Sequence, residues 1–132
     1  MLSAQQVMKR NVVSVSPNAT VEETIRLLRQ LDISGAPVVD GDGMLVGIIS
    51  DFALLGIVYD PQLRTAPVAE LMTRDVLTVD EQTPLSEIAD LFIRHRIRRV
   101  PVVHDGRLVG VVSRPDLLKH VLEREREPAA TV

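Results

Sequence analysis

Two kinds of side chain are scarce in this sequence, and each scarcity excludes classes of protein. The 132 residues include no cysteine, so disulfides, cysteine-ligated metals and a thiol nucleophile are excluded. Aromatic residues make up only 2% of the chain, while apolar residues make up 45%. A core must therefore be aliphatic, and the base-stacking surfaces of single-stranded nucleic-acid binders are not expected.

Strong positive charge and long apolar runs are also missing. The net charge is -3, so no overall basic field attracts nucleic acid or an anionic membrane. No apolar run approaches the roughly 18 residues that a membrane span requires. The first residues lack the basic-then-apolar pattern of a signal peptide. We therefore expect a cytoplasmic protein without a membrane partner, and we do not expect nucleic acid as a ligand.

The sequence contains the same ordered pattern twice, in residues 7–55 and 71–118. Met72 follows Met8 at an interval of 64 residues, and Gly110 follows Gly47 at an interval of 63. A copy of about 50 residues is marginal as an independent core, so both copies are expected to fold together as one module. The predicted organisation is a first repeat at 1–59, a linker at 60–67, a second repeat at 68–126 and a flexible tail at 127–132.

Apolar periodicity and turn residues predict the order β-α-β-β-α in each copy. Thr20 followed by Glu23 has the spacing of a capping box and begins the first helix. Pro84 suits the first turn of the equivalent helix in the second copy. The predicted strands are 12–15, 36–39 and 45–49, then 76–79, 100–103 and 108–112. The remaining helices are expected at 50–58 and 113–126.

The order β-α-β-β-α resembles that of the cystathionine β-synthase (CBS) domain. Because the order occurs twice, the chain is similar to the tandem of CBS domains called a Bateman module. The resemblance rests on the Met-x-x-(Asn/Asp)-Val motifs at Met8 and Met72, the two Pro-Val-Val strands and the two Leu-Val-Gly-(Ile/Val)-(Ile/Val)-Ser strands. It covers nearly the whole chain. It implies an α/β (α+β) fold in which two β-α-β-β-α repeats pack sheet to sheet with pseudo-twofold symmetry. It also implies homodimers, a regulatory role, and clefts between repeats that bind adenosine-containing ligands such as AMP, ADP, ATP or S-adenosylmethionine.

Ser113 and Asp116 match the Ser/Thr-x-x-Asp motif of that family. The resemblance implies that the Asp116 carboxylate accepts hydrogen bonds from both ribose hydroxyls. It also implies that Ser113 and the helix N-terminus face phosphate, where free amides and the helix dipole favour an anion. The same residues are typical of a helix N-cap with an acidic residue in the first turn. Both roles stay open, and one residue can serve both.

A basic stretch at 94–99 precedes the second Pro-Val-Val strand. Cations at a helix C-terminus contribute roughly 0.3 to 1 kcal/mol each, which accounts for Arg94 and Arg96. Arg98 and Arg99 resemble the basic pair that faces ligand phosphates in the gamma subunit of AMP-activated kinase. Two guanidinium groups suit a phosphate chain better than a neutral ligand. Lys9 and its neighbour Arg10 are candidates for charge at the rim of a cleft, but we expect both to be solvated.

The first repeat departs from the family pattern. Ala53 stands where the second repeat has Asp116, and Ser34 and Gly35 stand where it has Arg98 and Arg99. An alanine side chain accepts no hydrogen bond, and a charge-assisted one is worth about 1.5 to 3 kcal/mol. We therefore predict one competent nucleotide site per chain. Whether the site with Ala53 is occupied stays open.

Apolar side chains are also needed to enclose an adenine ring. The candidate walls are Val12, Val13, Val76, Leu77, Ile97 and Val100. For each of them a place in the core is the simpler interpretation.

No catalytic constellation is present in the sequence. The histidines at 95, 104 and 120 lack the spacing of a zinc site, and no nucleophile-elbow pattern surrounds a serine. We predict neither an enzyme nor a metal or cofactor site.

The sequence therefore predicts a regulatory module that binds an adenine nucleotide between its repeats and signals its occupancy to an unidentified effector protein. A homodimer is expected to use helix positions that are too apolar for open solvent: Leu54, Leu55, Ile57, Val58, Leu117, Leu118, Val121 and Leu122. Two alternatives stay open, a dimerisation scaffold without ligand and a nucleic-acid binder using residues 94–99. The choice among adenosine ligands and between parallel and antiparallel dimers also stays open.

Overall fold

The computed structural model of this chain describes residues 2–126, which form two compact units. The first-repeat unit contains Val13–Val76 and Gly106–Leu108. The second-repeat unit contains residues 2–12, 77–105 and 109–126. The predicted tail at 127–132 lies outside the described residues.

Helices and strands alternate along the chain as a mixed α/β fold, which confirms the predicted class. The α-helices are α1 (Ala4–Val7), α2 (Val21–Leu31), α3 (Asp51–Leu54), α4 (Leu85–His95) and α5 (Arg114–Arg126). The strands are β1 (Gly35–Val39), β2 (Leu45–Ser50), β3 (Val79–Asp80), β4 (Arg99–His104) and β5 (Arg107–Ser113). Short 3₁₀ helices lie at Leu55–Val58, Pro61–Thr65 and Val68–Glu70. Within the described part of the chain, no helix has the length and apolar character needed to cross a membrane.

The first-repeat unit is built on the antiparallel pair β1 and β2, with Ala36 opposite Ile49. Helix α2 begins as predicted, because the Thr20 hydroxyl accepts a hydrogen bond from the Glu23 amide at 3.1 Å. It ends at Leu31, because Asp32 takes the left-handed conformation. The buried side chains of this unit are aliphatic: Val15, Val21, Leu28, Ala36, Val38, Ile49, Leu54 and Val68.

The second-repeat unit contains a sheet of three strands in the order β3-β4-β5, with β3 parallel to β4. Helix α4 places Ile88 and Phe92 in the core. Pro84 is the N-cap residue of this helix and lies one position before its expected place in the first turn. The core also includes Val79, Val100, Val102, Val112 and Leu117.

The first strand predicted in each repeat is mostly wrong. Of residues 12–15, only Val15 pairs with a strand, in a single parallel bridge to Val38. Of residues 76–79, only Val79 belongs to a strand, opposite Val102. A strand forms in such a run only where a neighbouring chain accepts its hydrogen bonds. Only the last residue of each run reaches one.

The predicted apolar helix faces divide between core and surface. Leu54 and Leu117 are buried, and Ile57 packs against the first-repeat core, so these three are not free for a partner. The other predicted positions are exposed: Leu55, Val58, Leu118, Val121 and Leu122. Phe52 and Tyr59 are exposed as well.

The predicted linker folds as a 3₁₀ turn that is fixed to helix α2. The Arg64 guanidinium binds the Glu22 carboxylate, which also accepts a hydrogen bond from Arg26 at 3.1 Å. These hydrogen bonds, that from Arg64 foremost, lower the pKa of Glu22. The same contact with Glu22 raises the pKa of Arg64.

Each unit is completed by the leading segment of the other repeat. We call residues 2–9 and 66–73 the exchanged segments. In the second-repeat unit, the Ala4 amide donates to the Thr83 carbonyl at 2.9 Å. Lys9 and Val111 exchange two main-chain hydrogen bonds, of 2.9 and 3.0 Å.

The other exchanged segment makes equivalent contacts in the first-repeat unit. The Val68 amide donates to the Ala19 carbonyl at 2.7 Å, and Ile48 and Thr73 exchange main-chain hydrogen bonds of 2.9 and 2.8 Å. Equivalent residues of the two repeats therefore make equivalent contacts. Each contact joins one repeat to the leading segment of the other.

Glycine permits the close approach of both exchanged segments. A Cβ atom at Gly110 would lie 2.5 Å from the Met8 sulfur and 2.9 Å from the Lys9 carbonyl oxygen. A Cβ atom at Gly47 would lie 2.7 Å from the Met72 sulfur and 2.8 Å from the Thr73 carbonyl oxygen. A methionine side chain can move aside, but a paired main-chain carbonyl cannot move without loss of its bridge.

We predict that Gly110→Ala destabilises the protein by about 1 to 3 kcal/mol, the usual cost of overpacking. The melting temperature should fall by several degrees, which calorimetry measures. Gly41→Ala is the matched control, because no atom lies within 4 Å of its added Cβ. Equal melting temperatures for the two variants would contradict the steric role of Gly110.

Candidate ligand site at the start of the last helix

Ser113 and Asp116 form a reciprocal cap at the start of α5. The Asp116 amide donates to the Ser113 hydroxyl oxygen at 3.2 Å, and the Ser113 amide donates to Asp116 Oδ2 at 3.2 Å. The Ser113 hydroxyl also lies 2.7 Å from Asp116 Oδ2. This is the geometry of a capping box, with aspartate in the position that glutamate usually takes. The capping interpretation of these residues is therefore confirmed.

Lys9 lies beside the second carboxylate oxygen of Asp116. Its ammonium nitrogen is 3.6 Å from Asp116 Oδ1. The Asp116 side chain is 13% exposed, whereas that of Lys9 is 75% exposed. An ion pair with so much solvent contact contributes about 0 to 1 kcal/mol to stability. Lys9 was expected to be solvated, and its pairing with Asp116 corrects that expectation in part.

The basic turn before β4 is fixed to the same helix start. The Arg114 amide donates to the Arg98 carbonyl at 3.1 Å, and Arg114 Nε donates to the Ile97 carbonyl at 2.8 Å. Arg96 closes α4 in the left-handed conformation, with a φ of 52°. The side chains of Arg98 and Arg99 are exposed. Arg114 and Lys9, which are far apart in sequence, therefore bring positive charge to the N-terminus of α5.

The candidate adenine walls lie in different environments. Val100 is fully buried in the second-repeat core, so its side chain offers no surface to a ligand, and we withdraw it as a wall. Ile97 is half-buried against the same core. Leu77, in the second-repeat unit, is 41% exposed. Among the remaining candidates, Val12 and Val76 are half-buried and Val13 is 40% exposed.

The equivalent helix start in the first-repeat unit lacks a carboxylate at the position of Asp116. The Ser50 hydroxyl accepts from the Ala53 amide at 3.3 Å, so the serine cap is kept. The Asp51 amide donates to the Ser34 carbonyl at 2.8 Å, as Arg114 does to Arg98. Ala53 packs against the core and supplies no carboxylate. The two helix starts thus share one backbone design, but only the second carries a carboxylate three residues after its serine, since Ala53 takes that position in the first.

Two grooves in the second-repeat unit lie away from this helix start. One, of about 310 Å³, is lined by residues of β3 and α4, including Asp80, Glu87 and Arg94. The other, of about 340 Å³, is lined by residues around α1, including Gln5 and Gln6. Neither includes a predicted site residue. Across residues 2–126, no group of three or more His, Asp or Glu side chains could hold a metal ion.

Sequence reasoning missed the pairing of Lys9 with Asp116 and the contact of Arg114 with Ile97. The first pair is far apart in sequence and is brought together by the bridge between Lys9 and Val111. The repeat contained a usable signal, because Met8 and Met72 mark equivalent segments, but it did not indicate that the segments are exchanged.

Comparison with known proteins gives the family. The model of the CBS domain matches residues 4–60 and 68–123. Inosine-5'-monophosphate dehydrogenase of Methanocaldococcus jannaschii is 37% identical over 128 residues. That match covers 96% of this chain but only 24% of the enzyme. The chain thus spans about a quarter of the length of that curated relative.

Solved structures agree with the sequence match. CBSX2 from Arabidopsis thaliana, crystallised in complex with AMP, has a TM-score of 0.85 and 30% identity, with 96% of this chain and 100% of that chain covered. The CBS domain pair of MJ0100, in complex with 5′-methylthioadenosine and S-adenosyl-L-methionine, has a TM-score of 0.76 and 26% identity, with 96% and 99% covered. The chain belongs to the CBS domain family and carries two tandem copies of the domain.

We predict that Ser113→Ala destabilises the protein more than Ser50→Ala does. Loss of a serine N-cap typically costs about 0.5 to 2 kcal/mol. Ser113→Ala also removes the 2.7 Å hydrogen bond to a largely buried carboxylate, whereas Ser50→Ala removes one 3.3 Å bond. Urea unfolding of both variants measures the difference, and an equal or smaller loss for Ser113→Ala would count against the reciprocal cap.

Proposed function

We propose that this chain is a regulatory CBS pair that binds one adenosine-containing ligand at the start of α5. AMP, ADP and ATP are the first candidates, and S-adenosylmethionine is the second. The observation that carries the proposal is the placement of the Asp116 carboxylate, which lies at a helix N-terminus, near Lys9 and the basic turn. Ala53 takes its place in the first repeat.

The comparisons support an adenosine ligand at the level of its class. Two structures that resemble this chain were crystallised with ligands that share an adenosine moiety, AMP in one and 5′-methylthioadenosine and S-adenosyl-L-methionine in the other. The match to the dehydrogenase covers 24% of that enzyme. It gives no reason to propose dehydrogenase activity for this chain, and a regulatory role agrees with the CBS family model.

The proposed binding mode uses each group for the chemistry it offers. The Asp116 Oδ1 atom accepts from ribose hydroxyls, while Oδ2 stays in the cap with Ser113. Phosphate is bound by the N-terminus of α5, where the helix dipole favours an anion, and by the guanidinium groups of Arg98 and Arg99. Val12, Leu77 and Ile97 are the candidate adenine walls of the second-repeat unit that keep exposed surface.

Regulation follows from linkage between binding and conformation. A ligand shifts a conformational equilibrium by its difference in affinity for the two states. An effector protein that recognises one state then reads the occupancy of the site. The identity of that effector, and the cytoplasmic location expected from the sequence, stay predictions.

We predict that millimolar AMP, ADP or ATP raises the melting temperature of the protein by several degrees. Ligand at a hundred times its dissociation constant adds about 2.7 kcal/mol to stability.

Asp116→Ala should weaken binding about tenfold or more, because a charge-assisted hydrogen bond is lost. Isothermal titration calorimetry measures both affinities well below the melting temperature of each variant.

The matched control for that experiment is Asp51→Ala. Asp51 is an exposed acidic residue in the first turn of α3, so its loss changes the net charge by the same amount. The affinity of the Asp51→Ala variant for the nucleotide should stay within twofold of the wild-type affinity. If both variants bind the nucleotide equally weakly, Asp116 does not bind the ribose specifically. The absence of any shift with AMP, ADP, ATP or S-adenosylmethionine would favour the dimerisation scaffold without ligand.

We also propose a homodimer that uses one apolar face on each unit. Phe52, Leu55, Val58 and Tyr59 are exposed in the first-repeat unit, and Leu118, Val121 and Leu122 are exposed in the second-repeat unit. Clusters of large exposed apolar side chains typically mark protein contacts. Scattered single residues do not, and Ile93 on α4 is one of these.

We predict that the protein sediments at twice its chain mass of 14.6 kDa. The double variant Phe52→Ser, Leu118→Ser should sediment as a monomer, because both faces lose an exposed apolar side chain. Ile93→Ser is the matched control and should stay dimeric, since Ile93 is also exposed, at 75%, but lies outside both faces. A wild-type monomer in analytical ultracentrifugation would refute the dimer.

A further inference from the structure

We propose that Lys9 selects ligands that carry a negative group at the 5′ position of the ribose. This inference rests on the proposed function, because it concerns the same site at Asp116. It goes further by naming the residue that separates phosphorylated ligands from neutral ones. The proposal starts from the ion pair between Lys9 and Asp116.

The main chain of Lys9 is held in place beside the site. Its amide and carbonyl both bind Val111, at 2.9 and 3.0 Å, two residues before Ser113. The preceding residue, Met8, is buried against Gly110. Lys9 is therefore fixed at its backbone, and only its flexible side chain is free to change partners.

The ammonium of Lys9 now lies 3.6 Å from the carboxylate oxygen that we assign to the ribose. When ribose hydroxyls donate to that oxygen, they compensate part of its charge. The ammonium can then turn toward a new anion, because the lysine side chain is 75% exposed and has four flexible carbons. A 5′-phosphate on the same ribose supplies that anion.

A neutral methylthio group at the 5′ position offers Lys9 no such exchange, because it has no charge to pair with the ammonium. The preference is specific to the second-repeat unit, because Thr73 occupies the position equivalent to Lys9 in the first-repeat unit. Lys9 thus acts on the 5′ substituent, whereas Asp116 recognises the ribose that all these ligands share.

The experiment compares AMP with 5′-methylthioadenosine, which differ only in the 5′ substituent. Calorimetry gives both dissociation constants for the wild type, Lys9→Gln, Lys9→Arg and Arg10→Gln. Lys9→Gln should reduce the preference for AMP about tenfold, as expected for one charge-assisted contact. Its affinity for 5′-methylthioadenosine should change by less than about twofold, and Lys9→Arg should keep the wild-type preference.

Arg10→Gln is the matched control for general electrostatics. Arg10 is the exposed neighbour of Lys9, and within residues 2–126 its side chain has no ion pair. If Arg10→Gln reduces the AMP preference as much as Lys9→Gln does, an overall field explains the result and the proposal fails. If Lys9→Gln weakens both ligands by the same factor, the proposal also fails, while the proposed function stands. If the wild type binds neither ligand, both fail.

Discussion

The close approach of two methionine segments to two strand glycines is the constraint on which the rest of the structure depends. Met8 lies against Gly110 and Met72 against Gly47, so closely that a Cβ atom would meet both a sulfur and a carbonyl oxygen. Each contact permits a main-chain bridge, Lys9 with Val111 and Thr73 with Ile48. Through these bridges each unit gains a segment that its own repeat does not contain. The cores of both units form around that arrangement.

The candidate site is a product of the same exchange. Asp116 and Ser113 belong to the second repeat, but Lys9 reaches them only because residues 2–9 pair with β5. The first-repeat unit repeats the backbone geometry, with Ser50 as a cap and Thr73 in the place of Lys9. It does not repeat the charges of Lys9 and Asp116, because Thr73 and Ala53 take their positions. Both helix starts thus share one backbone geometry, and different side chains give them different chemistry.

The sequence allowed the fold class, the two repeats and the cap at Ser113 to be predicted, because each depends on local pattern or on comparison of the copies. It did not allow the length of the first strands to be predicted, since a β-branched run does not reveal whether a partner chain is present. Val100 illustrates the same limit: its position beside the basic turn suggested a ligand wall, but the strand turns its side chain into the core. Lys9 was interpreted as solvated because its partner is distant in sequence and is reached only through a long-range bridge.

The exchange of segments also has a consequence for the assembly of the fold. The last strand of each sheet is bridged by the leading segment of the other repeat, so each unit uses residues of both repeats. Joining the two repeats in one chain keeps the two leading segments at a high effective concentration. The connector at Pro61–Thr65, fixed to α2 through Arg64 and Glu22, therefore joins two repeats that each supply a segment to the unit of the other.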